Sequence, residues 1–127
     1  MYVLDTDIAV EYLRGNETVV ERLWKLSEIG MTMITVAELF YGVCRSQNTK
    51  KHEAKLKDMI DGANLLGIDE LSCRVFGAMK AKVNEKGKSV DDFDVMIASI
   101  CIANDCTLIT RNLRHFKEFE GLRIETI

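Results

Sequence analysis

Three acidic side chains stand out in this sequence: Asp5 in LDTDI, Glu38 in TVAELFYG and Asp94 in SVDDFDVMIAS. An amide, Asn112, follows in LITRNLRHF. Several carboxylates held close together repel one another unless a cation shares them. Hard oxygen ligands with few histidines and no cysteines favour Mg²⁺ or Mn²⁺ over softer metals. Such an ion activates a water and steadies the charge of a phosphodiester in transfer. If these acids meet in space, they make a hydrolytic phosphodiesterase site.

The surrounding pattern gives elements that would bring them together. Tyr2-Val3-Leu4 is a short apolar run, a buried strand ending at Asp5. Ile8 to Leu13 repeats apolar residues at helical spacing and stops at Gly15. Glu17 to Glu28 reads as an amphipathic helix closed by Gly30, and Met31 to Ile34 as a second strand. Thr35 caps the next helix, with Glu38 at capping-box spacing. Lys50 to Leu66 is a further helix, Gly67 to Asp69 a short third strand, and Leu71 to Val83 a helix ending near Gly87. Phe93 to Ala103 is apolar enough for a buried helix. Thr107 to Thr110 and Leu122 to Thr126 complete the strands, the last at an edge. Short strands alternating with helices predict an α/β three-layer fold, with a central, mostly parallel sheet of four to five short strands flanked by helices. Ligands in such folds sit outside the carboxyl ends of the strands. Asp5, Glu38 and Asn112 follow strands, and Asp94 reaches the same rim from a helix N-terminus.

Each acid also has a plain structural use. Asp and Glu in the first turn of a helix stabilise it through caps and the macrodipole, by about 0.3–1 kcal/mol each. Asp7, Asp91 and Asp92 fit that use, with Asp92 and Asp7 also placed to support a metal site from behind. Glu38 fits a capping box as well as a site acid. Asp5 sits between an apolar strand and a helix, where burial makes an acid expensive. Asp94 opens a helix that looks fully buried.

Composition bounds the rest. At 127 residues, the length suits one domain over 1–127. Seventeen basic against twenty acidic side chains give a net charge of −3, the wrong sign for a phosphate binder on composition alone. That excess equals the number of proposed site acids, so a divalent cation would largely offset it. The four cysteines lack C-x-x-C spacing and read as buried free thiols in a reducing cytoplasm. No basic segment followed by an apolar stretch marks a signal peptide at the N-terminus. The longest uncharged run, Val95 to Asn104, is too short to span a bilayer.

YVLDTDIAV, TVAELFYG, GKSVDDFDVMIASICIANDCTLITRNLRHF and EGLRIETI together resemble the PIN-domain nucleases, most closely the VapC-type toxins of toxin–antitoxin pairs. The resemblance covers nearly the whole chain. It implies a three-layer α/β fold and a Mg²⁺- or Mn²⁺-dependent ribonuclease, commonly a homodimer, held in check by a cognate VapB-like antitoxin. The family's three acids fall on Asp5, Glu38 and Asp94, its fourth acid position on Asn112. Thr110 matches a hydroxyl that lines the same site in the family, and Thr6 falls beside the first acid, placed for the same use. The resemblance implies that Asp5 and Asp94 hold the main ion while Glu38 completes its shell or orients the attacking water. Arg111, Arg114 and His115 follow the fourth strand and are candidates for holding RNA through its phosphates. Trp24, Val20, Leu23 and Leu26 form an apolar stripe, either core or a face for a second subunit or an antitoxin helix.

Other readings stay open. LDTDI is similar to the aspartyl-phosphate loop of haloacid-dehalogenase-type phosphatases, but Ala9 breaks that pattern. An RNA-processing PIN nuclease outside a toxin pair, or a degenerate PIN fold that only binds RNA or a partner, would share the same acids.

Overall fold

The computed structural model describes residues 1–127. Five strands form the sheet: β1 (Tyr2–Leu4), β2 (Ile29–Thr32), β3 (Asn64–Leu66), β4 (Thr107–Ile109) and β5 (Arg123–Glu125). Their order is β3-β2-β1-β4-β5, and every neighbouring pair is parallel. Seven helices connect them: α1 (Thr6–Leu13), α2 (Glu17–Trp24), α3 (Met33–Arg45), α4 (Thr49–Asp61), α5 (Glu70–Glu85), α6 (Asp92–Ala103) and α7 (Leu113–Phe116).

Successive residues of a strand face opposite sides of the sheet. Val3 and Leu108 enter one buried cluster with Val95, Ile97, Ala98 and Phe116, whereas Leu4 and Ile109 enter the other with Ile8, Leu23, Leu39 and Leu56. Two cores on the two faces of one sheet make the three layers. Because β1 lies centrally and both its faces are covered, its apolar run is continuous, as buried parallel strands require. No helix is long and apolar enough to cross a membrane.

Several boundaries differ from the sequence expectation. Gly30 does not end a helix: α2 stops at Trp24 and Gly30 lies within β2. A Cβ there would sit 2.8 Å from Met1 Sδ and 3.1 Å from the Asn64 carbonyl oxygen, so a side chain would have to displace Met1 and press on the β3 backbone. The third strand is Asn64–Leu66, and Asp69 instead caps α5 in a reciprocal pair with Ser72. Gly15 takes φ +79° just past α1, as a helix-terminating glycine should. All four cysteines are free, but only Cys101 and Cys106 are buried; Cys44 and Cys73 are exposed. The apolar stripe of Val20, Leu23, Trp24 and Leu26 divides: Leu23 enters the core and Leu26 packs against it, while Trp24 is 79% exposed.

Candidate active site

The carboxyl ends of β1, β2 and β4 carry the site. Asp5 follows β1 as the N-cap of α1, its Oδ1 accepting from the Thr6 amide at 2.8 Å. Its other oxygen accepts from the Thr110 hydroxyl at 2.7 Å, just past β4. The Asn112 backbone N–H donates to that same hydroxyl oxygen at 2.9 Å. Asp5 is 5% exposed, so its carboxylate is fixed by its partners and largely dry.

Glu38 is tied to α1 by the Thr6 hydroxyl, which donates to its Oε1 at 2.7 Å. The Thr6 oxygen also lies 3.1 Å from the Thr35 hydroxyl, which lies 3.5 Å from that of Thr32. Thr32 and Thr35 are fully buried. Thr32, not Thr35, is the cap of α3, accepting from the Thr35 amide at 3.1 Å. Glu38 therefore stands in the second turn, beyond reach of a capping box, and its side chain is committed to the rim. Sequence reasoning missed the hydroxyl chain. Its signal is the spacing of Thr32, Thr35 and Glu38, which repeats every third residue and so puts all three on one side of α3.

Asp94 reaches the rim from the first turn of α6, whose cap is Asp91. His115 Nδ1 lies 3.1 Å from Asp94 Oδ2 and 2.8 Å from Asn112 Nδ2. One ring nitrogen serves one of these at a time: bare, it accepts from the amide; protonated, it donates to the acid. Asn112 thus reaches Asp94 through His115 and Asp5 through Thr110.

The structure does not bring Asp92 to this group. Its Oδ1 pairs with Lys80 Nζ at 2.8 Å, because two residues along a helix is more than half a turn from Asp94. The negative charges that raise Asp94 are those of Asp91 and Asp7 instead. Arg111 is pulled toward α1 by Glu11 at 3.0 Å, and Arg114 is exposed.

Asp5, Glu38 and Asp94 are all held above the ordinary carboxyl range, in each case chiefly by burial. Hydrogen bonds from Thr110 and Thr6 oppose this at Asp5, as Thr6 does at Glu38 and His115 at Asp94. The acids also raise one another: Asp94 acts on Asp5 and Glu38, and Asp5 on Glu38. No Lys or Arg is ion-paired to any of the three; the one pairing is His115 with Asp94. As they stand, they do not form a closed cage of ligands. They form an open acidic rim, suited to an ion that keeps much of its own water shell.

A raised folded-state pKa favours the protonated form, so it contributes stability at low pH that is lost as pH rises through it. Wild type should therefore gain stability relative to Asp5→Asn as pH falls from 7 toward the ordinary carboxyl range, with no further gain below it. Thermal melts of both proteins in chelating buffer check this. A constant difference across that window would show that Asp5 titrates normally.

The PIN domain family model matches residues 2–122. The ribonuclease VapC2 of Rickettsia felis is 29% identical, over 98% of this chain and 96% of that protein. The tRNA(fMet)-specific endonuclease VapC of Shigella flexneri is 27% identical, over 98% and 96%. The VapBC2 crystal structure from Rickettsia felis, bound to a promoter DNA fragment, superposes with a TM-score of 0.94 at 27% identity, covering 99% of this chain and 98% of that one. Fold, site and family model agree, and the chain belongs to the PIN-domain family.

Proposed function

We propose that this protein is the ribonuclease toxin of a VapBC-type pair, hydrolysing RNA phosphodiesters with a divalent cation held by Asp5 and Asp94. The observation that carries this reading is the convergence of Asp5, Glu38 and Asp94, from three elements remote in sequence, on one strand-end rim. The donor set fits Mg²⁺ or Mn²⁺: carboxylate oxygens, partly buried, with no Lys or Arg ion-paired to them. A cation bound there would polarise a phosphoryl oxygen and make water a competent nucleophile at neutral pH.

The chain's own residues would do the positioning. Thr110 and the Thr6 amide aim the Asp5 carboxylate. The Thr6 hydroxyl fixes Glu38 so that its free oxygen can orient an attacking water. His115 braces Asp94. An amide at Asn112 suits this arrangement, since it hydrogen-bonds within the rim and adds no further negative charge beside the substrate.

RNA as substrate is supported by the relatives' ribonuclease and tRNA endonuclease activities. A VapB-like antitoxin is supported by the solved VapBC complexes, a homodimer only by the family resemblance. The cytoplasm, where thiols stay reduced, suits four unpaired cysteines. Purified protein should cleave bulk tRNA with Mg²⁺ or Mn²⁺ and not with EDTA. Its expression should arrest growth, and co-expression of the adjacent small reading frame should relieve the arrest. Absence of both cleavage and arrest would overturn the proposal.

A further inference from the structure

Beside the acidic rim, between α1 and the turn after β4, lies an open cleft of about 300 Å³ lined by Asp7, Val10, Glu11, Arg14 and Arg111. Arg111 Nη1 stands 3.0 Å from Glu11 Oε1. The other carboxylate oxygen of Glu11 is closed off from water and has no hydrogen-bond partner. Asp7, Glu11 and Arg14 recur at helical spacing, so one side of α1 forms a wall of the cleft. Arg111 faces them, between Thr110, which binds Asp5, and Asn112, which binds His115.

An exposed ion pair in water does little for stability. This pair differs because one oxygen of the acid is dry. Losing Arg111 would leave that carboxylate without its cation and poorly hydrated, a costly state. The guanidinium is therefore held at one place. Meanwhile its five N–H donors are not used up by a single carboxylate oxygen. A guanidinium held on one side and open on the other can grip a phosphate through two parallel hydrogen bonds.

Attraction alone does not explain Glu11. Next to the path of a polyanion, a carboxylate repels the substrate, and its removal would strengthen binding if charge were all that counted. We infer that Glu11 is a positioning residue: it fixes Arg111 as a clamp for an RNA backbone phosphate adjoining the one that reacts, with Arg14 on the opposite wall of the same cleft. This rests on the ribonuclease reading above. The benefit is pre-organisation: a guanidinium already held in place loses less conformational entropy when the phosphate arrives, which strengthens binding and so shows in KM.

The test is steady-state cleavage of bulk tRNA by wild type, Glu11→Ala, Glu11→Gln, Arg111→Ala and Glu11→Ala/Arg111→Ala. Glu11→Ala should raise the apparent KM about tenfold, with kcat changed less than about threefold. Glu11→Gln should recover part of the loss, because its amide oxygen still accepts from Arg111. Arg111→Ala should cost at least as much as Glu11→Ala, and the double variant should match Arg111→Ala, because Glu11 acts through Arg111. An unchanged or lowered KM for Glu11→Ala, or additive losses in the double variant, overturns the inference while wild-type cleavage leaves the ribonuclease reading standing. If wild type cuts no RNA, that reading falls by itself. Fluorescence anisotropy with labelled bulk tRNA then judges the cleft: weaker binding by Glu11→Ala than by wild type supports it, and equal or tighter binding overturns it.

Discussion

Replacing Asp5 or Asp94 by Asn should reduce divalent-dependent RNA cleavage by at least about 10²-fold while leaving the protein folded. Asn has the shape of Asp, so the prediction isolates charge. At position 5, the amide oxygen can still accept from the Thr6 amide, and the Thr110 hydroxyl can turn to accept from the new NH₂ group. Lost is the negative charge that would hold the cation. Removing that charge also relieves the burial that holds this acid above its ordinary range. The variant should therefore melt no earlier than wild type at pH 7. Added Mn²⁺ should raise the melting temperature of wild type, since a ligand that binds only the folded state stabilises it. The same addition should shift Asp94→Asn much less. Cleavage at the wild-type rate by both variants would remove these acids from the chemistry, and an equal Mn²⁺ shift in all three proteins would remove them from metal binding.

Phe116→Ala should have the largest effect on stability, about 3–5 kcal/mol. Phe116 is fully buried, is the one buried residue of α7, and lies 6.2 Å from the Phe119 ring, centre to centre. A helix this short has almost no stability of its own, so packing by this ring sets where the turn sits. That turn carries Asn112 and His115, which brace Asp94. The substitution should lower the melting temperature by roughly 10–20 °C. Phe116→Leu, which keeps much of the volume, should lose far less. Denaturant titration of both variants measures the difference. A loss below about 1 kcal/mol for the alanine variant would mean the cavity collapses and α7 repositions freely.

The rim acids could be read from the sequence because a charged residue immediately after an apolar strand has few structural uses. Asp5 was legible this way, whereas Thr110 was marked only by the family resemblance. Glu38 was ambiguous because the α3 start was read at Thr35, where a capping box would have absorbed the acid. The true cap, Thr32, is also the last residue of β2 and hides inside an apolar run. Gly30 looked like a helix stop because sequence alone does not reveal the Met1 side chain and β3 backbone packed against it. The third strand was displaced because Ala63, Leu65 and Leu66 continue the helical apolar spacing of Met59 and Ile60. Asp92 is the first-turn helix acid it reads as, but the support it also offers a metal site is not realised, because helical geometry sends it to Lys80. The Glu11–Arg111 pair joins distant parts of the chain and leaves no local pattern to read.

The hydrogen bond between Thr110 and Asp5 spans 105 residues of sequence. It has a kinetic consequence. Contacts this remote form late, because the loop entropy must be overcome before they contribute. At synthesis rates of about 5–20 residues per second, translation of this chain takes on the order of ten seconds. Through most of that time β1 has no β4 beside it, and Asp5 has no Thr110 to aim it. The acidic rim is thus left incomplete through most of synthesis, and no partial chain that lacks β4 carries the arrangement that aims Asp5.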